Sequence, residues 1–565
     1  MDPSLKVTYF AETDSRHNRN KFGIKAIDRS KHVYVIGKTG MGKSTLLENM
    51  AIQDIQNGNG IAFIDPHGGT AEKLLEYIPK ERVKDVLYFA PFDMEHPVSF
   101  NIMEDVGANK RHLVVNGLMS VFEKIWEDAW SARMAYILQN TLLALLEYPG
   151  ATLLAVNRMY TDKEFRNKVV ANVTDVSVKS FWVDEYAKYT DKYAQEATPA
   201  IQNKIGQFAG NPLIRNIIGQ PKSSFDLRKI LDEKKIMIVN LSKGRVGEGN
   251  ARLLGSMLIT KLYLAAMSRA DESASTLASL PQFYLFVDEF QSFADKSFAD
   301  ILSEARKYKL NLTMAHQYIE QMEEEVRDAV FGNVGTMVTF RVGAYDAEVL
   351  EKEFAPTFTA EDLVNLGLRQ IYLKLMIDSV TSAPFSATTM PPIAPQEESY
   401  VDEIIENSRK TFARLKSEVE KNISDWHEEG RVIPKTPLAT QPAPYKPKAP
   451  KAKSGPQPID IRGQKPAFTQ PPPFQPSSHR APQPPVQKIS LEQLKNKSNN
   501  QRKPDVKHLS DLREALKAVV GKQPLTTNNP QPTISPKPLE PSLNDTVGQA
   551  SKGPSAEELK KMLTG

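Results

Sequence analysis

The run Gly37-Lys38-Thr39-Gly40-Met41-Gly42-Lys43-Ser44 fits the pattern G-x-x-x-x-G-K-[ST]. Average residue usage would supply that pattern about 0.02 times in a chain of this length. The chemistry such spacing permits is phosphate binding. Glycines let successive backbone N–H groups curl around phosphate oxygens, and the start of the following helix adds positive potential. Lys43 can reach the β and γ phosphates, and the Ser44 hydroxyl can ligate Mg²⁺. Gly37 through Thr45 are therefore the candidate nucleotide-binding residues, with ATP and Mg²⁺ as the cofactors.

Such a loop needs acids for the metal and the water, and Phe283-Tyr-Leu-Phe-Val-Asp288-Glu289 offers a pair at the end of an apolar run. Strand ends on the loop side of a parallel sheet are where ligands sit. Asp288 is the candidate metal ligand, usually acting through water, and Glu289 the group that polarises the attacking water. Asn311-Leu-Thr-Met-Ala-His-Gln317 is a second such run. The Gln317 amide could contact the γ-phosphate or the water, and His316 beside it reads as structural rather than catalytic. Arg306, in Leu302-Ser-Glu-Ala-Arg-Lys-Tyr308, is either a solvated basic helix end or an arginine finger entering a neighbouring subunit.

Positioning these groups requires a particular scaffold. Val33–Ile36, Gly60–Ile64 and Val86–Phe89 are short apolar runs alternating with helical stretches, the first followed by a helix from Lys43 to Gln56. Runs without polar alternation argue a parallel sheet covered on both faces. From about 109 to 220 apolar residues recur at helical spacing, as in Trp126, Trp130, Met134, Ile137 and Leu138. This predicts an inserted all-helical domain. The sheet resumes with Lys235–Leu241, Phe283–Val287, Asn311–Met314, Thr336–Arg341 and Gln370–Met376, and Tyr400–Glu429 reads as one long charged helix. The expected domains are 1–108 and 221–393 for a split α/β body, 109–220 for the insertion, 394–430 for the charged helix and 431–565 for a tail.

Composition agrees with that division. The 565 residues carry a formal charge of +4, with 72 Lys+Arg and 68 Asp+Glu. Residues 431–565 hold 22 Lys+Arg against 9 Asp+Glu and 24 of the 39 prolines, leaving residues 1–430 with 50 against 59. Such a tail cannot bury enough apolar surface to offset its ordering entropy, so disorder is expected there. The tail could hold DNA loosely by charge or present short amphipathic islands at Ile489–Leu494, Leu509–Val520 and Glu557–Leu563 to a partner, the default reading being a charged linker with no specific ligand. No cysteine is present, which excludes disulfides, thiolate zinc sites and cysteine nucleophiles. No uncharged apolar run reaches the ~18–20 residues of a membrane span. Leu253–Met267, cut by Lys261, reads as a buried amphipathic helix, and a cytoplasmic protein is expected.

The set G-K-T-G-M-G-K-S, F-I-D-P-H-G, L-F-V-D-E-F, S-E-A-R-K-Y and L-T-M-A-H-Q resembles the HerA–FtsK superfamily of P-loop motors, and within it the TraD/TraG-type coupling proteins of type IV secretion and conjugation. The resemblance covers roughly residues 20–390. It implies a RecA-like P-loop fold with an all-helical insertion, and a hexameric ring that hydrolyses ATP to move DNA. In that family a Gln follows the paired acids by about 28 residues and a trans-acting Arg lies 11 before it. Gln317 and Arg306 match both spacings. Asp65 takes the place of the family's second-strand acid on the metal side of the site, in a weak role, and His67 belongs to the turn. Coupling proteins usually begin with membrane-spanning helices, which this sequence does not show.

No helix-turn-helix, zinc-finger or RNA-binding signature is visible, so any DNA contact is expected to be to the phosphate backbone, without sequence readout. Lys243 and Arg245, in Asn240-Leu-Ser-Lys-Gly-Arg-Val-Gly-Glu-Gly249, are either a pore loop or a subunit-interface loop. Trp126 and Trp130 read as core rather than base-stacking platforms. Secretion or DNA-processing partners could meet the tail. Alternative readings are a HerA-like DNA-processing motor, a protein-secretion ATPase, or, in another class, a nucleotide-switched scaffold.

Overall fold

The computed structural model describes residues 5–14, 19–104, 106–190 and 197–429. The tail from 431, with its expected disorder and its amphipathic islands, lies outside them. Thirteen strands form among the described residues: β1 (Val7–Thr13), β2 (Lys21–Lys25), β3 (Val33–Ile36), β4 (Gly60–Asp65), β5 (Val86–Phe89), β6 (Ile236–Asn240), β7 (Phe283–Val287), β8 (Leu310–His316), β9 (Thr336–Thr339), β10 (Gln370–Lys374), β11 (Met376–Ile377), β12 (Val380–Thr381) and β13 (Phe385–Thr389). Eleven of them make one sheet in the order β2-β1-β13-β10-β9-β3-β8-β7-β4-β6-β5. From β9 to β5 every pairing is parallel. From β9 outward to β2 every pairing is antiparallel.

The apolar strands explain the layers. In β3, Val33 and Val35 enter one hydrophobic cluster while Tyr34 and Ile36 enter the other. β4 divides in the same way, with Ile61 and Phe63 on the first face and Ala62 and Ile64 on the second. Successive side chains of a strand point to opposite faces, so strands that are apolar throughout need a cover on each side. The helix Lys43–Gln56 supplies Leu46, Leu47, Met50 and Ile55 to the first cluster. The helix Glu248–Met267, buried on nearly all sides, supplies the second.

Between residues 108 and 218 the described residues form helices and no strand. Their apolar faces join the second cluster, so this region shares a core with one face of the sheet. Trp126 is buried there, stacked 4.5 Å from Phe122 and 5.9 Å from Phe208. Trp130 is half-buried against the same cluster.

The single helix expected over Tyr400–Glu429 is instead two, Val401–Phe412 and Lys416–Glu428. The break is made by tertiary pairing. Ala413 forms a bridge with Val98, Arg414 N–H donates to Pro97 O at 3.3 Å, and Lys416 N–H donates to Glu95 O at 3.1 Å. The first helix covers the edge strand β5, where Tyr88 N–H donates to Ser408 Oγ at 3.0 Å. The second lies on the insertion. There Arg158 packs between Phe165 and Trp426 and donates to Trp426 O at 2.9 Å.

Candidate nucleotide site

Strand register brings the sequence motifs to one edge. Ile36 is level with His316 and with Thr339, and Val287 is level with Ile64 and Met314. The loop after β3, the acids after β7 and Gln317 after β8 therefore emerge side by side.

The loop itself is shaped by its glycines. Gly42 has φ +117°, a backbone that favours glycine, and a Cβ on Gly37 would stand 2.5 Å from Phe340 Cβ. Gly40 is likewise left-handed. Lys38 N–H donates to Arg341 O at 2.8 Å, and Met41 O accepts from Arg369 N–H at 3.3 Å, so neighbouring strand ends fix the loop. Lys43 folds back onto it, donating to Gly37 O at 2.6 Å and Lys38 O at 3.2 Å. Its burial lowers the ammonium's pKa, against the charges of Glu289 and Asp288. Thr45 lies in the first turn of the helix that follows.

Ser44 Oγ donates to Asp288 Oδ2 at 3.0 Å. A hydroxyl and a carboxylate converging at the head of this loop are the donor set a hard cation takes, so the residues fit Mg²⁺. Burial, with Glu289 and Asp65 as like charges, pushes Asp288 up to about 6. Glu289 follows in a left-handed backbone, φ 48°, with its N–H on Asp288 Oδ1 at 2.9 Å. Its carboxylate accepts from Gln317 Nε2 and, at 2.6 Å, from Gln291 Nε2. Burial raises Glu289, but His67, Gln291, Gln317 and the charge of Lys43 outweigh it and hold it at about 2. Thr39 Oγ donates to Gln317 Oε1 at 3.0 Å, joining the loop to the acid through one amide.

Other residues fall differently. His316 is fully buried beneath the site, with Nδ1 3.0 Å from the Tyr34 hydroxyl, and burial pushes it down to about 3. Asp65 caps its own turn, accepting from His67 N–H at 2.7 Å and Ala71 N–H at 2.9 Å. His67 is more than a turn residue, because its Nε2 lies 3.9 Å from Glu289 Oε1. Gln291 is the site neighbour that motif reading passed over, and His67 the one it assigned to the turn alone. Lys243 and Arg245 lie in a short helical turn, Lys243–Val246. Arg245 pairs with Glu72 at 2.8 Å and covers the Phe92 ring at 3.7 Å, while Lys243 donates to Ser292 Oγ at 3.3 Å. Arg306 is exposed in the turn Ala305–Tyr308 before β8 and is not brought to this edge. Among the described residues no helix is long and apolar enough to cross a membrane.

Solved structures of the plasmid coupling protein TrwB share this fold, and a VirB4 structure is similar to the chain at a lower score. The plasmid coupling protein TrwB in complex with ADP and Mg²⁺ is 15% identical, with a TM-score of 0.50, covering 70% of this chain and 98% of its own. TrwB with a non-hydrolysable ATP analogue is 14% identical, also at 0.50, covering 71% and 98%. VirB4 of Thermoanaerobacter pseudethanolicus is 12% identical at 0.46, covering 70% and 98%. Comparison with curated proteins gives no match. The model of the family described as type IV secretory system conjugative DNA transfer matches residues 6–340, more than half of the chain and the whole P-loop, acid-pair and glutamine constellation. The chain belongs to the type IV secretory system conjugative DNA transfer family.

Proposed function

We propose that this chain is a coupling ATPase, hydrolysing ATP in a homo-hexameric ring to move DNA. The observation that carries the reading is the convergence of Lys43, Ser44, Asp288, Glu289 and Gln317 at one sheet edge. TrwB, which shares the fold, holds ADP with Mg²⁺ or an ATP analogue, which supports the same nucleotide class here.

The chemistry follows from the contacts. Lys43 exchanges the Gly37 and Lys38 carbonyls for β- and γ-phosphate oxygens, a replacement of dipoles by full charges. Ser44 and Asp288 would hold Mg²⁺, whose charge screens the phosphates. Glu289, ionised at neutral pH, accepts the proton of the attacking water. Gln317 lies between the P-loop Thr39 and Glu289, so it responds to whatever occupies the loop. Arg306 completes the γ-phosphate environment from a neighbouring subunit. DNA is held through its phosphates, and partners meet the tail. The test is steady-state ATP turnover of the full chain with and without DNA. Turnover that rises with DNA supports the motor, and turnover indifferent to DNA while a protein substrate raises it would support protein secretion.

A further inference from the structure

The Glu289 carboxylate is held from two sides by amides with different attachments. Gln317, on one oxygen, is bonded in turn to Thr39 of the P-loop, so a triphosphate entering the loop disturbs that grip. Gln291, on the other oxygen at 2.6 Å, has no bond to the P-loop. It sits in the turn Phe290–Ser292, which is anchored through Ser292 to Lys243 of the turn Lys243–Val246. Its own Oε1 is buried without a hydrogen-bond partner among the described residues. An amide that leaves its acceptor unpaired while its donor grips the carboxylate is oriented by that carboxylate, at a desolvation cost.

We propose that Gln291 is a positioning residue that parks Glu289 away from the attacking water, so that nucleotide binding alone does not release the base and the idle protein spends little ATP. The inference rests on Glu289 being the base. The bond from Gln291 Nε2 occupies one lone-pair site and fixes the carboxylate's orientation, so turning that oxygen toward a water requires this bond to break. A shift of the Phe290–Ser292 turn, driven from the Lys243 side, would release it.

The experiment uses the full chain carrying Gln291→Met, which keeps length and removes the donor, and separately Gln291→Glu, which replaces the donor by a repelling carboxylate. The measurement is kcat and KM for ATP, each with and without duplex DNA. The expected result is a basal kcat at least 3-fold above the parent with KM changed less than 2-fold, and a correspondingly smaller DNA stimulation. A role confined to packing would lower kcat and the melting temperature together. Either variant, folded with the parent's circular dichroism, giving a basal kcat at or below the parent overturns the proposal. Glu289→Gln placed in the Gln291→Met background should abolish the raised rate. Retention of that rate would remove the base assignment itself, and the proposal with it.

Discussion

Arg306 and Gln317 stand at opposite ends of one strand. Arg306 precedes the first residue of β8 and Gln317 follows its last. Seven residues at about 3.3 Å each put roughly 20 Å between the two ends. The nucleotide-binding edge is the Gln317 end, so Arg306 cannot reach its own subunit's γ-phosphate without dismantling β8.

That separation sharpens the finger assignment. Arg306→Ala should bind ATP normally and lose about 10³-fold or more in turnover. Mixed with Lys43→Ala, which is inactive for a different reason, it should recover partial activity, because some interfaces then pair an intact loop with an intact arginine. Turnover assays on co-assembled mixtures check this, and an Arg306→Ala protein with full activity discards the finger.

Glu289→Gln should retain ATP binding and lose about 10²–10⁴-fold in kcat. Lys43→Ala should weaken triphosphate binding instead, since its ammonium is the cation seated at the loop's mouth. Fluorescent-nucleotide titration beside turnover separates the two, and a Glu289→Gln enzyme near parental kcat would unseat the base.

Asp288 gives a pH signature in metal-free buffer. Its folded pKa of about 6 lies above the usual carboxylate value, so between about pH 4 and 6 the folded state binds more protons than the unfolded one. Stability from this group therefore falls as pH rises through that window, by up to about 3 kcal/mol. Asp288→Asn should raise the melting temperature at pH 7.5, and the gain should vanish near pH 4. A gain that is independent of pH would mean that the carboxyl is not raised.

A chain ending at Glu429 should keep its fold and ATPase activity, whereas one ending at Ser399 should aggregate. The shorter chain uncovers the edge strand β5 and removes the Trp426 cover from Arg158. Light scattering and turnover on the two truncations decide it.

Lys243→Ala should reduce DNA stimulation more than Arg245→Ala, because Arg245 is already committed to Glu72 and Phe92. The log–log salt slope of DNA binding should change by about 0.9 for each phosphate that is no longer neutralised. Equal effects of the two substitutions would return this turn to its interface reading.

The parallel half of the sheet was legible because buried strands are continuous apolar runs. Val33–Ile36, Val86–Phe89 and Phe283–Val287 fall at their expected bounds. The antiparallel extension was not, since β1, β2 and β13 mix Thr, Glu, Lys and Ser among their apolar residues, with Glu12, Lys25 and Thr388 half-exposed and Lys21 and Ser386 exposed. The break at Ala413 was hidden because it depends on residues 95–98, more than three hundred positions away. At the site, motif spacing located the loop, the acids and Gln317. Gln291 had no such signal, and His67 was read only as part of its turn, because the contact of each with Glu289 is set by the direction in which that left-handed residue points.

The register of β1 with β13, Ala11 opposite Thr389, sets an order of events during synthesis. At about 5–20 residues per second, roughly 20–75 s separate the emergence of the two strands from the ribosome. Until then β1 has no strand on its β13 side, although Gln53 of the helix Lys43–Gln56 already bonds Tyr9, and β10 has an unpaired edge once it is made. Newly made chains are therefore expected to expose the β13-facing edge of β1 until residue 389 emerges. Codon choice and chaperone supply ahead of residue 389 should govern how much of the protein reaches its folded form.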